Sequence, residues 1–211
     1  MTNEKTAVLR DPDSIRVIDE KGNSSYGCDQ DWYGSFWQRM AGCGPSVASN
    51  LLLYLHHAGK LNLPLDVESK SGCVRLMEAV WRHVTPTTRG LYLITQFCEG
   101  VHSFTHTFGT SLLCMSLEIP KKREERPTLS EAADFIEEGL NTDCPVAFLN
   151  LSNGKIKALD EWHWVTIVSL TRSADGSKAE ALVYDQDKSF VVDMKLWMET
   201  TSMGGGLVYF K

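Results

Sequence analysis

Apolar residues change their spacing about two thirds of the way along the chain. In the first part they recur at helical intervals. Val47, Leu51, Leu52, Tyr54 and Leu55 predict a helix over residues 45–57, with Pro45 in the first turn, where its missing N–H costs nothing, and Gly59 as the stop. A second helix is predicted over residues 73–83, ending before the Thr85-Pro86 step. Residues 90–98 fit a third helix, although LYLITQF would serve equally as a strand. Residues 111–119 read as a strand, and KKREERP after them as a solvated, charged loop. TLSEAADFIEEGL then opens with Thr128 and Glu131 at capping-box spacing, which predicts another helix.

The last third consists of short β-rich runs between turn residues: PVAFLNL, HWVTIVSL, AEALVYD, KSFVVD and GGLVYF. In the second run Trp162, Trp164, Thr166 and Val168 share one face, and His163, Val165 and Ile167 the other. Two largely apolar faces predict a central strand. Helices that lead and strands that follow describe an α+β protein with segregated layers. The predicted organisation is one domain over residues 1–211, with an irregular lead-in at 1–35 that holds at most a short strand at 14–18. A mainly helical part follows at 36–140, and an antiparallel sheet part at 141–211.

Composition narrows the function classes. A length of 211 residues suits one domain. A net charge of −6 argues against nucleic acid or an anionic membrane as the main partner. The N-terminal MTNEKTAVLRDPDSIRVIDE has no apolar core of the kind a signal peptide carries, and no run approaches the ~20 apolar residues of a membrane span. These features predict a cytoplasmic protein. The six cysteines (28, 43, 73, 98, 114 and 144) are scattered, with no C-x-x-C pair, which predicts six free thiols and no zinc site. His102 and His106 stand in an H-x-x-x-H, but the segment shows no helical periodicity and lacks a third ligand at metal-site spacing. No metal or organic cofactor is expected.

One stretch carries the candidate chemistry. In QRMAGCGPSVASNLLLYL, Cys43 sits between two glycines at the start of the predicted helix. A helix N-terminus favours negative charge, and the thiolate is the nucleophilic form of cysteine. Flanking glycines would let a substrate backbone reach the sulfur. His163 opens an apolar strand, where an imidazole costs burial energy unless hydrogen-bonded. Such histidines are more often satisfied core residues, but with a Gly-flanked cysteine upstream this one becomes a candidate general base. Asp185 ends the run ALVY and could orient that base; Asp187, two residues on, lies where the chain turns. Rigidity favours Asp185 and leaves Asp187 as the alternative. Gln38, five residues before Cys43, is a candidate oxyanion donor together with the Cys43 N–H. Trp32, Trp37, Trp162 and Trp164 are candidates for the walls of an apolar cleft around the thiol.

The order Gln…Cys-Gly-Pro…His…Asp resembles the papain-like cysteine peptidases, and within them most closely the bacterial C39-like peptidases. CGPSVASNLLLYLHHAG resembles that family's opening helix, and LSEAADFIEEGLNTDCPVAFLNL its helix and following strand. WHWVTIVSL and LVYDQD resemble its histidine and aspartate strands. The likeness covers about two thirds of the chain and leaves residues 60–110 without a counterpart. It departs at Gln186, where the family often has proline. The resemblance implies a papain-like fold and a cysteine peptidase or thiol amidase acting on a peptide or protein. Cys43 would be the nucleophile, His163 the base, Asp185 the orienting group and Gln38 the oxyanion donor. The same residues would also serve a thiol acyltransferase, or a binding protein whose triad is dormant.

Overall fold

A computed structural model describes residues 4–211. Among these residues the chain is α+β, with six α-helices and an antiparallel sheet. The first helix, α1 (Phe36–Ala41), opens with a capping box in which Ser35 and Gln38 satisfy each other's backbone N–H. Gly42 separates it from α2 (Cys43–His57). A side chain at Gly42 would collide with the Gln38 carbonyl and the Tyr33 ring. Every α2 residue from Gly44 to Leu55 is buried, so this helix is apolar all round and runs through the core.

The next two helices differ from expectation at their ends. Helix α3 (Lys70–Trp81) starts earlier because Ser69 accepts from the Gly72 N–H and caps a polar first turn. Helix α4 (Ile94–His106) settles the ambiguity of residues 90–98 in favour of a helix and carries it eight residues further. Its buried stripe is Phe97, Val101 and Phe104. Gly100 sits in that stripe where a Cβ would collide with the His83 carbonyl and Val84, and the small residue dilutes the periodicity. Helix α5 (Leu129–Asn141) has the predicted Thr128–Glu131 capping box. A further helix, α6 (Met194–Thr200), was not foreseen; Asp193 caps it by accepting from the Leu196 N–H at 2.9 Å.

The larger sheet contains β4 (Cys114–Ile119), β5 (Val146–Asn150), β6 (His163–Ser173), β7 (Ala179–Asp185), β8 (Lys188–Asp193) and β9 (Gly205–Phe210), in the order β4-β9-β5-β6-β7-β8. The five predicted β runs of the last third are β5 to β9. The lead-in is more regular than expected. Strand β1 (Glu4–Val8) pairs with the second half of β6, from Ser169 to Ser173, where β5 has ended. Residues 14–18 are not one strand. A 3-10 turn at Pro12–Ile15 precedes β2 (Val17–Ile18), which pairs with β3 (Ser24–Ser25). Proline's fixed φ at residue 12 favours the turn. Buried side chains from Ala7 to Phe210 form one cluster between helices and sheet.

The expectation of six free thiols is overturned. Cys98 on α4 and Cys114 on β4 form a disulfide, with Cα atoms 6.2 Å apart. A helix-to-strand contact across 16 positions has no spacing signature, so only the packing of α4 on the sheet brings the two sulfurs together. Cys28, Cys43, Cys73 and Cys144 are free. The cytoplasmic expectation thereby loses its thiol argument. No helix among the described residues is long and apolar enough to cross a membrane.

Candidate active site

Strands β6 and β7 pair antiparallel with Thr166 opposite Tyr184, so the start of one lies near the end of the other. His163 Nε2 and Asp185 Oδ1 meet there at 2.7 Å, and each residue is 7% exposed. Burial opposes protonation of the imidazole. The Asp185 hydrogen bond and the neighbouring Cys43 thiol outweigh it and push the ring up to about 10. With Nε2 taken by Asp185, Nδ1 is the nitrogen that remains for the thiol.

Asp185 rather than Asp187 reaches the histidine. Asp187 is exposed in the two-residue turn between β7 and β8, where Gln186 adopts a positive φ of 56°. The Gln186 carbonyl accepts from the Tyr26 N–H at 2.7 Å and the Ser25 hydroxyl at 2.6 Å. The lead-in segment thus braces the turn immediately behind Asp185. Trp162, before His163, also has a positive φ, of 54°, unusual for a bulky residue. Its carbonyl accepts from Cys43 Sγ at 4.0 Å. Such a conformation persists only where the surroundings enforce it. Here one end of the residue faces the thiol and the next begins β6.

Cys43 is the first residue of α2, half-buried, in a helix start that no side chain caps. Its flanking glycines serve packing. Gly44 lies against Leu91 and Trp164, and Gly42 against Gln38 and Tyr33, so a Cβ at either position would collide. The glycines thus have a packing role that the sequence did not announce: they let α1, α2 and the 91 segment approach one another. Trp164 locks the same region, donating its Nε1–H to the Leu91 carbonyl at 2.7 Å and stacking on Phe97 with centroids 4.3 Å apart.

The structure does not bring Gln38 to this group. Its Nε2 donates to Glu78 at 2.8 Å and its Oε1 accepts from the Ser35 N–H at 3.3 Å. Helix geometry explains this: as the third residue of α1, Gln38 completes the capping box. A cavity of about 230 Å³ opens at Cys43, walled by Trp37, Met40, Leu91, Leu151 and Trp162, and Gln38 does not line it. Of the four tryptophans considered, Trp37 and Trp162 are wall residues. Trp164 is core, and Trp32 lies beneath Lys70, whose Nζ is 4.4 Å from its ring centre.

Sequence reasoning missed Asp160. One donor atom each from Asp160, His163 and Asp185 lies within 4.8 Å of the others, so an exposed second carboxylate stands beside the buried pair. The Asp160 carbonyl accepts from Asn150 Nδ2 at 2.5 Å, and Asn150 Oδ1 accepts from Trp197 Nε1 at 2.8 Å. That chain runs from α6 through β5 to the loop before His163. Its one sequence signal was the position of Asp160 three residues before the histidine. His102 and His106, placed by α4 with ring centres 4.2 Å apart, are exposed, and neither joins a three-donor group among the described residues. No family model matches the chain, and no curated protein matches it.

Proposed function

We propose that this protein hydrolyses peptide or amide bonds through a Cys43 thiol, as a papain-like cysteine peptidase or thiol amidase similar to the C39-like peptidases. The observation that carries the proposal is the buried His163–Asp185 pair at 2.7 Å set behind a half-buried cysteine at a helix start. In this reading the thiol proton already rests on His163 as an imidazolium, and the Cys43 thiolate attacks the substrate carbonyl carbon. The tetrahedral oxyanion receives the Cys43 backbone N–H at the uncapped end of α2. His163 then returns the proton to the leaving amine, the C–N bond breaks and an acyl-thioester forms. Water, deprotonated by the same ring, releases the acid and restores the thiol. Asp185 holds the ring through Nε2–H and stabilises the imidazolium.

The test is alkylation by iodoacetamide at about pH 6, where ordinary thiols titrating near ~8.5 react slowly. Peptide mapping should show Cys43 modified faster than free cysteine, and His163→Ala should remove that advantage. In parallel, cleavage of a degenerate peptide mixture, read by mass spectrometry, should vanish in Cys43→Ala. Wild-type Cys43 reacting no faster than free cysteine would overturn the proposal.

A further inference from the structure

Among the described residues, one charged side chain lines the Cys43 cavity, and it is Arg89. The other walls are apolar or neutral, led by Trp37, Met40, Leu91 and Trp162. Arg89 joins no ion pair among the described residues, as is true of most of the arginines; only Arg10, Arg16 and Arg172 meet a carboxylate. In a chain of net charge −6, this sets a cationic residue with no carboxylate partner among the described residues on the lining of an otherwise uncharged cavity.

The backbone beneath Arg89 is tightly tied. Thr87 and Gly90 exchange N–H···O bonds of 3.2 and 2.9 Å, and the Thr87 hydroxyl donates to the Gly90 carbonyl at 2.9 Å. The Arg89 N–H donates to the same hydroxyl at 3.2 Å. Gly90 closes the turn with a φ of +81°, a conformation that glycine adopts at no steric cost. The next residue, Leu91, is held by Trp164 as described above. A tied turn lowers the entropy lost when its side chain engages a ligand. A guanidinium is also the group whose planar fork matches a carboxylate.

We infer that the cavity selects substrates carrying a carboxylate close to the scissile carbonyl, and that Arg89 is the specificity-determining residue that receives it. An apolar substrate side chain packs between Trp37 and Trp162, while the carboxylate turns to the rim. The inference rests on the thiol chemistry proposed above and names the substrate class for that same site. The carboxylate is either an acidic side chain or a free chain terminus.

The experiment compares two alkylating reagents of similar size, anionic iodoacetate and neutral iodoacetamide, at Cys43 by peptide mapping. The readout is the ratio of their rates, normalised to free cysteine, so that changes common to both reagents cancel. At about 10 mM salt, where a Debye length of about 30 Å leaves the charge unscreened, wild type should favour iodoacetate. Arg89→Gln should lower the ratio about five-fold, as expected for losing one charge about 4 Å from the anion in water. Arg89→Lys should retain most of the preference, and Arg82→Gln, a charge loss away from the cavity, should leave the ratio unaltered. A ratio unmoved by Arg89→Gln overturns the inference.

Protection of Cys43 from iodoacetamide separates the two sources of carboxylate. Acetyl-phenylalanine presents a terminal carboxylate, acetyl-glutamyl-phenylalanine amide a side-chain one, and acetyl-phenylalanine amide neither. Better protection by one of the two anionic compounds, lost in Arg89→Gln, supports the inference and identifies the source. No advantage of either over the neutral amide counts against it. Failure of the thiol reading looks different: Cys43 would then react with iodoacetamide no faster than free cysteine, whatever stands at position 89.

Discussion

His163 and Asp185 stand on adjacent strands, each 7% exposed and each satisfied by the other. Across the cleft, Cys43 opens a helix among side chains that solvent reaches: Trp37 is 45% exposed and Met40 64%. The sheet side is over-determined. Two strands fix the pair, the lead-in segment clamps the turn after Asp185, and the Trp197–Asn150–Asp160 chain holds the loop before His163. The helix side is arranged by close packing at Gly42 and Gly44 and leaves its outer side chains unburdened. A group that must hold one orientation sits where hydrogen bonds cannot be remade without a buried cost. The exposed groups of the helix side carry no such cost.

Substitutions on the two sides should differ sharply under the proposed chemistry. The largest effect is expected from Cys43→Ala and His163→Ala, each lowering the turnover of a cleaved peptide by about 10⁴-fold or more with the fold retained. Circular dichroism and progress curves check both parts. Retained turnover in either variant would show that the two sides of the cleft do not act together.

Next is the choice between the aspartates. Asp185→Ala should cost about 10²–10⁴-fold in rate, while Asp187→Ala, in the exposed turn, should change it less than about two-fold. NMR titration of His163 should show its pKa falling when Asp185 is replaced, because the imidazolium loses its anionic partner. Stability carries the same signature. His163 is held at about 10, above its ordinary 6.5. The stabilisation from the pair is therefore full below about pH 6.5 and is lost as pH rises through about 10. Urea unfolding of Asp185→Asn against wild type should show a gap that narrows over that window. A gap that widens with pH would reverse the assignment of charge.

A smaller effect tests the scaffold alone. Trp197 donates Nε1–H to Asn150 Oδ1 at 2.8 Å and to the Ser152 carbonyl at 3.0 Å. Trp197→Phe leaves both acceptors buried and should cost about 1–3 kcal/mol by denaturant melts. It should also loosen the loop before His163, seen as faster amide exchange there. The smallest effect is expected on the helix side. Gln38→Ala should cost about 1 kcal/mol through the lost capping box and change turnover less than about two-fold. A loss of about 10²-fold would instead restore Gln38 to the oxyanion site.

Sequence patterns carried far on one side and little on the other. The residues HWVTIVSL and ALVYD are legible because a central strand needs apolar side chains on both faces, so a histidine at its start and an aspartate at its neighbour's end stand out. Cys43 was legible for a related reason, between glycines where a helix begins. Gln38 misled because spacing alone does not say where an amide points. Its position as third residue after Ser35 marks a capping box just as plainly, and that local bond won.

By itself the sequence determined the α+β order of elements, the start of α2 at the Cys-Gly-Pro step and the strands that bear His163 and Asp185. Each of these is a local matter of period, cap or turn, decided within about a dozen residues. Only the tertiary structure decided which aspartate meets the histidine, that Asp160 joins them, that Cys98 binds Cys114 and that Arg89 overlooks the thiol. Those contacts join residues from 3 to 46 positions apart, and the spacing alone announces none of them. They depend on how helices pack on the sheet, which is a property of the whole buried cluster.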